Sequence, residues 1–151
     1  SEFDFSQVYD NIELNGKKIP FPFTLNDLGE EYDFKWDVVD MGDGLYGAQL
    51  AYNGESVAVI SMLGESEDSI NRDSEIIEMT FYDNQQQVFS INGINCQSNI
   101  SDIEKKVINI KQHFNKNNEM CGYIANNGSD LFYISIHDEK ITMIIISKEE
   151  K

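Results

Sequence analysis

The sequence predicts an α+β protein built as a tandem repeat: each copy supplies a strand, a short helix and an antiparallel meander, and the two copies pack side by side, able to share one sheet. Three observations lead there. The stretches "LNGKKIPFPFTLNDL" (Leu14 to Leu28) and "INGINCQSNISDI" (Ile91 to Ile103) both open on Asn-Gly and close on a helix start. After each come short runs of alternating apolar and polar residues, separated by Asn, Gly and Asp turn signals. The chain has 151 residues, 40% of them hydrophobic. That is enough for one core, whereas a half of about 75 residues is marginal alone. The reading is therefore a first repeat over 1–84 and a second over 85–151, forming one compact unit.

The two helix starts align "TLNDL" (Thr24 to Leu28) with "NISDI" (Asn99 to Ile103), about 75 positions on. Thr24 and Asn99 are capping residues, and the Asp three places later complements the positive end of the helix dipole. The pairs Asn15-Gly16 and Asn92-Gly93 suit tight turns, since both residue types tolerate positive φ. The first copy is slightly longer, which places the excess in Pro20-Phe21-Pro22. In the second copy, Ile100, Ile103, Val107 and Ile110 share one helical face, opposite Glu104, Lys105 and Lys106. Strands are expected at Phe34 to Val39, Tyr46 to Tyr52, Ser56 to Met62 and Ile76 to Tyr82 in the first copy. Met120 to Ala125, Leu131 to His137 and Ile141 to Ser147 are expected in the second. "DNQQQ" (Asp83 to Gln87) links the copies.

Charge is concentrated in the first repeat. Of 27 acidic residues, 19 lie in 1–84 beside only four basic ones, while 85–151 carries eight acidic and seven basic, for a total of −16. Such a field repels phosphates, so nucleic acid and anionic membrane headgroups are excluded as direct ligands of the first half. A basic protein partner or bound divalent ions fit it, as does plain solubility. No run approaches the roughly 18–20 apolar residues of a membrane span; the densest, "ITMIIIS" (Ile141 to Ser147), is strand-sized.

Chemistry-bearing motifs are few. No phosphate-binding glycine loop, nucleophile elbow or paired-histidine metal motif occurs, so neither enzymatic activity nor a cofactor is expected. Cys96 and Cys121 read either as two buried thiols or as a disulfide, which in an exported protein would stabilise by roughly 3 kcal/mol. With His113 and His137 they form no zinc-ligand spacing. A thiol–imidazole nucleophile among them is the enzymatic alternative. "DMGDG" (Asp40 to Gly44) and "GESEDSINRDSE" (Gly64 to Glu75) concentrate carboxylates on loops, as solvated acidic loops or as calcium ligands, without the Asp-x-Asp-x-Asp-Gly spacing that wraps one ion.

Sheet faces say more. Phe132, Ile134 and Ile136 alternate with Tyr133, Ser135 and His137, and Ile77, Met79 and Phe81 alternate with Glu78, Thr80 and Tyr82. One face would receive the helices. The other offers Glu78, Thr80, Tyr82, Tyr133 and His137, a mixture suited to a wet binding surface and equally to plain solvent-facing strand positions. Trp36, alternating with Phe34 and Val38, is expected in the core.

The repeated order of Asn-Gly, capping residue, Asp, short helix and meander resembles the small exported lipoproteins of Gram-positive bacteria whose folds look like β-lactamase inhibitor protein and the small lipoprotein of the outer-membrane assembly machinery. "NGKKIPFPFTLNDL" resembles the opening of those domains and "DEKITMIIIS" (Asp138 to Ser147) their last strand. The chain departs from the inhibitor protein in lacking its helix-loop-helix in each repeat. The resemblance implies a tandem α+β fold, export with anchoring as a lipoprotein through an upstream segment, and a non-enzymatic role in binding another protein at the cell surface. The alternative reading is a cytoplasmic acidic immunity-type protein that neutralises a basic toxin.

Overall fold

The Asn-Gly pairs form the expected turns. In the computed structural model, which describes residues 2–148, Asn15 and Gly16 take φ of 49° and 85°, and Asn53 and Gly54 take 50° and 86°. Positive φ at both central positions matches the right-handed twist of the flanking strands. The first turn joins β1 (Ile12–Leu14) to β2 (Lys17–Ile19), and the second joins β4 (Leu45–Tyr52) to β5 (Glu55–Leu63). Asn92 and Gly93, at 49° and 80°, follow β7 (Phe89–Ile91) and fold Ile94 back onto Ile91.

The protein is mixed α+β, mostly antiparallel sheet with few and short helices. Its main sheet has eight strands. β3 (Tyr32–Asp40), β4, β5 and β6 (Ile76–Tyr82) run in chain order from one edge. β8 (Lys111–Phe114), β9 (Met120–Asn127), β10 (Asp130–His137) and β11 (Lys140–Ser147) run in chain order from the other, so that β6 and β11 meet antiparallel at the centre. A three-stranded sheet, β2-β1-β7, packs with α1 (Ser6–Tyr9), α2 (Leu25–Leu28) and α3 (Ile103–Lys106) on one face.

One core joins all of this. Across the main sheet Ala48, Ile60, Met79, Ile146, Phe132 and Ala125 stand in register on the covered face, and all six are buried. Above them a file of rings, Phe5, Tyr9, Phe21, Phe23, Phe89 and Phe81, runs at centroid spacings between 5.5 and 6.1 Å. It carries packing from α1, through the segment after β2, to β7 and β6. The linker is tied down as well: Gln87 Nε2 donates to the Tyr82 carbonyl at 2.7 Å, and its Oε1 accepts from the Cys96 amide at 2.8 Å.

The two helix starts differ. Thr24 forms a full capping box, with Asp27 N–H donating to Thr24 Oγ1 at 3.2 Å and Thr24 N–H to Asp27 Oδ2 at 2.9 Å. Asn99, expected to do the same, makes no capping bond. The chain there forms a 3-10 turn over Ile100–Asp102 before α3 begins, and Asn99 lies outside its first turn. The helix expected to reach Ile110 ends at Lys106, with Val107 already extended. Val107 and Ile110 are still buried, so the apolar spacing reported burial without reporting helix.

Trp36 corrects the sequence reading. β3 and β4 pair in register up to Lys35↔Gln49 and resume at Val39↔Gly47, so residues 36–38 form a bulge. Trp36 sits in it at φ +70°, a left-handed backbone rare for a bulky residue, and is 69% exposed. Phe34 and Val38 do pack against the core, but the bulge turns the indole out.

Candidate functional site

The face of the main sheet opposite the helices is left partly open to solvent. In register along it stand Lys35, Gln49, Val59, Thr80, Ile145, Tyr133, Ile124 and Lys111, one residue from each of the eight strands. The six inner members are all partly exposed. Of the sequence-predicted residues, Glu78, Thr80 and Tyr82 lie on this face along β6, and Tyr133 lies on it two strands away, joined to Thr80 through Ile145. His137 belongs to the same side of β10 but sits at the hairpin tip, its ring 80% exposed beside Asp138 at 3.4 Å. It is peripheral to the surface that unites the other four. The face is also less polar than alternation implied, because Val59, Ile124, Leu131, Met143 and Ile145 share it.

Its most prominent feature includes Trp36, which the sequence pattern places in the core. Trp36, Val39 and Met41 are each more than half exposed and cluster at the β3 edge. Met41 lies across Gly47, where a Cβ would meet its sulfur at 2.6 Å. Trp36, Val39, Gly47, Gln49 and Val59 line a shallow cleft of about 330 Å³. Lys35 Nζ stands 4.9 Å from the indole centroid. Asp37 also lines the cleft, and Asp33, Asp40 and Asp43, on the same strand or just after it, are exposed too. A larger cleft of about 660 Å³ at the far edge, between Glu2, Phe3 and Phe5 and strands β8 and β9, is lined in part by amides (Asn109, Gln112, Asn126, Asn127).

Arg72 anchors the acidic loop behind the patch. Its guanidinium donates to the carbonyls of Tyr32 at 2.7 Å and Gly29 at 3.0 Å, and to Asn26 Oδ1 at 3.0 Å. Asp33 stands 3.7 Å away. The loop over 64–75 is thereby fastened to α2 and β3. Arg72 is the only cation of that loop, and its planar fork of donors suits several bonds at once. Among the described residues no three His, Cys, Asp or Glu side chains converge on a point that could hold a metal ion.

The two cysteines are free, so the candidate Cys96–Cys121 disulfide is not formed. Cys96 follows β7 and packs on the covered side, its Sγ 3.9 Å from the Phe81 carbonyl on β6. Cys121 lies in β9, three strands from β6, which at a strand spacing of about 4.8 Å puts it roughly 14 Å away, beyond the reach of a disulfide. Burial, then the nearby Asp83 carboxylate, push the Cys96 thiol up to about 12. Cys121 instead contacts His113, with Sγ 3.6 Å from Nδ1.

Comparison with known protein families, with curated proteins and with solved structures finds no match to this chain. Among the described residues no helix is long and apolar enough to cross a membrane.

Proposed function

We propose that this protein is a non-enzymatic, exported domain, tethered at the cell surface as a lipoprotein, that binds a basic protein partner through the open face of its eight-stranded sheet. The observation that carries this reading is Trp36: an indole held out of the core on left-handed backbone, beside an apolar cleft and on a strand that carries exposed carboxylates. Left-handed backbone under a bulky residue costs free energy, and such costs concentrate where function needs a side chain presented. Interfaces of this kind use an aromatic anchor for affinity and a charged rim for rate and selectivity. Glu78, Thr80, Tyr82 and Tyr133 extend the surface across the centre, with His137 at its margin.

The fold arose, on this reading, by duplication. Supporting it, three of the four equivalent pairs in the register row, Lys35 and Lys111, Gln49 and Ile124, and Val59 and Tyr133, are about 75 residues apart, the longer loop over 64–75 bringing the central pair, Thr80 and Ile145, closer in sequence. The antiparallel meeting of β6 with β11 is what a two-fold axis normal to the sheet requires.

The test is capture from an envelope extract on immobilised protein at low and high salt. The expected result is a basic envelope protein held at low salt and released at high salt; no salt-dependent envelope partner would count against the proposal. The charge of the first half also supports a second reading, a cytoplasmic acidic protein that covers the phosphate-binding surface of a basic toxin. Mass spectrometry of the native N-terminus separates the two: a lipid-modified cysteine upstream of Ser1 favours the first, an unprocessed cytoplasmic start the second.

A further inference from the structure

At the opposite end of the open face from Trp36, strand β9 carries another irregularity. β8 and β9 pair as His113↔Gly122 and then Phe114↔Met120, which leaves Cys121 as the extra residue of a bulge. The bulge brings Cys121 Sγ to 3.6 Å from His113 Nδ1, and the same nitrogen is 3.3 Å from the Tyr133 hydroxyl. Gly122 makes the cluster fit. A Cβ there would collide with the Ile134 carbonyl oxygen and meet Tyr133 Oη at 2.9 Å, so only glycine lets the phenol lie across β9 to reach the imidazole. Cys121 is partly accessible and His113 is exposed. The surrounding half is nearly neutral, so it does not repel anionic reagents as the first half does.

We propose that Cys121 is a modification site, at which the thiol, with His113 as proton acceptor, exchanges with low-molecular-mass disulfides to form a reversible mixed disulfide on the open face. With the imidazole proton on Nε2, the Nδ1 lone pair faces the thiol. Nδ1 takes the Cys121 proton, and the thiolate attacks one sulfur of R–S–S–R. The Cys121–S–S–R bond forms as the original S–S bond breaks, and the departing R–S⁻ takes the proton from Nδ1–H, leaving one R–SH. Cys121 is oxidised and one half of the disulfide reduced, with no other reactant. Tyr133 packs edge-to-face on the imidazole, its hydroxyl 3.3 Å from Nδ1, and holds the ring in place.

Cys96 is the internal control. It is half-buried, its thiol is held protonated by its surroundings, and no imidazole adjoins it. The test follows reaction of the folded chain with 5,5′-dithiobis(2-nitrobenzoate) and, separately, with neutral 2-hydroxyethyl disulfide, sites being assigned by peptide mass spectrometry. We expect Cys121 to react at least about tenfold faster than Cys96, Cys96→Ser to keep the fast phase, and Cys121→Ser to lose it. His113→Gln should slow the fast phase at least about fivefold with both reagents while leaving the melting temperature and the Cys96 rate unchanged. Persistence with the neutral reagent separates proton acceptance from attraction of an anion. Equal rates at the two cysteines in the unmutated chain, or a fast phase untouched by His113→Gln, would overturn the proposal. The inference stands independently of whether the open face binds a protein.

Discussion

Strands β3–β6 and β8–β11 are laid out alike, each running in chain order from a sheet edge to the centre, but they finish their edges differently. β3 has nine residues and is broken by the bulge that ejects Trp36, whereas β8 has four and is exposed throughout. Both are ways of keeping an unpaired edge from recruiting other strands. Their by-products differ: an aromatic patch in an acidic field at one end, and a thiol–imidazole pair in a neutral field at the other. The links before the central strands differ too. β5 reaches β6 through the loop over 64–75, while β10 turns into β11 at Asp138 and Glu139, with φ of 52° and 62°. Only the longer link needs a side-chain anchor, and Arg72 provides it.

The two sets of strands meet in one core. Phe81 on β6 and Phe132 on β10 are both fully buried in the shared cluster, so either change to Ala should cost about 3–5 kcal/mol and shift one cooperative transition. Two separable transitions in denaturant would mean that the halves are independent units. Next in size is Arg72→Ala. Loss of its carbonyl and amide bonds should cost about 2 kcal/mol and raise hydrogen exchange in α2 and residues 64–75, leaving β8–β11 unchanged.

A smaller effect belongs to alkaline pH. Cys96 is raised from 9.0 to about 12, and Tyr32, chiefly through burial, from 10.0 to about 12. For both groups the folded state favours the protonated form. Their contribution to stability is therefore full below about pH 9 and is lost as pH rises through 9 to 12. Urea titrations should fall across that window, and Cys96→Ala should flatten the part between 9 and 10. Smallest of all is Trp36→Gly: relief of the left-handed backbone offsets lost surface contact, so stability should change by less than about 1 kcal/mol in either direction. A larger loss would place the indole in the core after all.

Much of the fold was legible because its signals are local. Asn-Gly pairs dictated turns, and strict alternation placed β6 at its observed bounds and β10 within one residue. The capping box at Thr24 needed only four consecutive residues. What was not legible depends on pairing. The bulge at residues 36–38 reverses the side that alternation assigns to Trp36, and no local signal announces it. Asn99 has a capping residue's chemistry but precedes a 3-10 turn and makes no side-chain capping bond. β7 and β8, three and four residues long, are too short for periodicity to register. The proximity of Cys121 to His113 was hidden for the same reason as Trp36, since a one-residue bulge creates it.

Binding of a basic protein to the open face with Trp36 as its anchor is tested by comparing native protein with Trp36→Ala in the same capture experiment at low salt. As the only tryptophan, Trp36 also reports on its own burial through fluorescence. The native chain should retain a basic partner, its tryptophan emission should shift to shorter wavelength and become shielded from acrylamide on binding, and Trp36→Ala should retain at least about tenfold less. Equal retention by both proteins, with an indole as accessible in the complex as in the free chain, would contradict it.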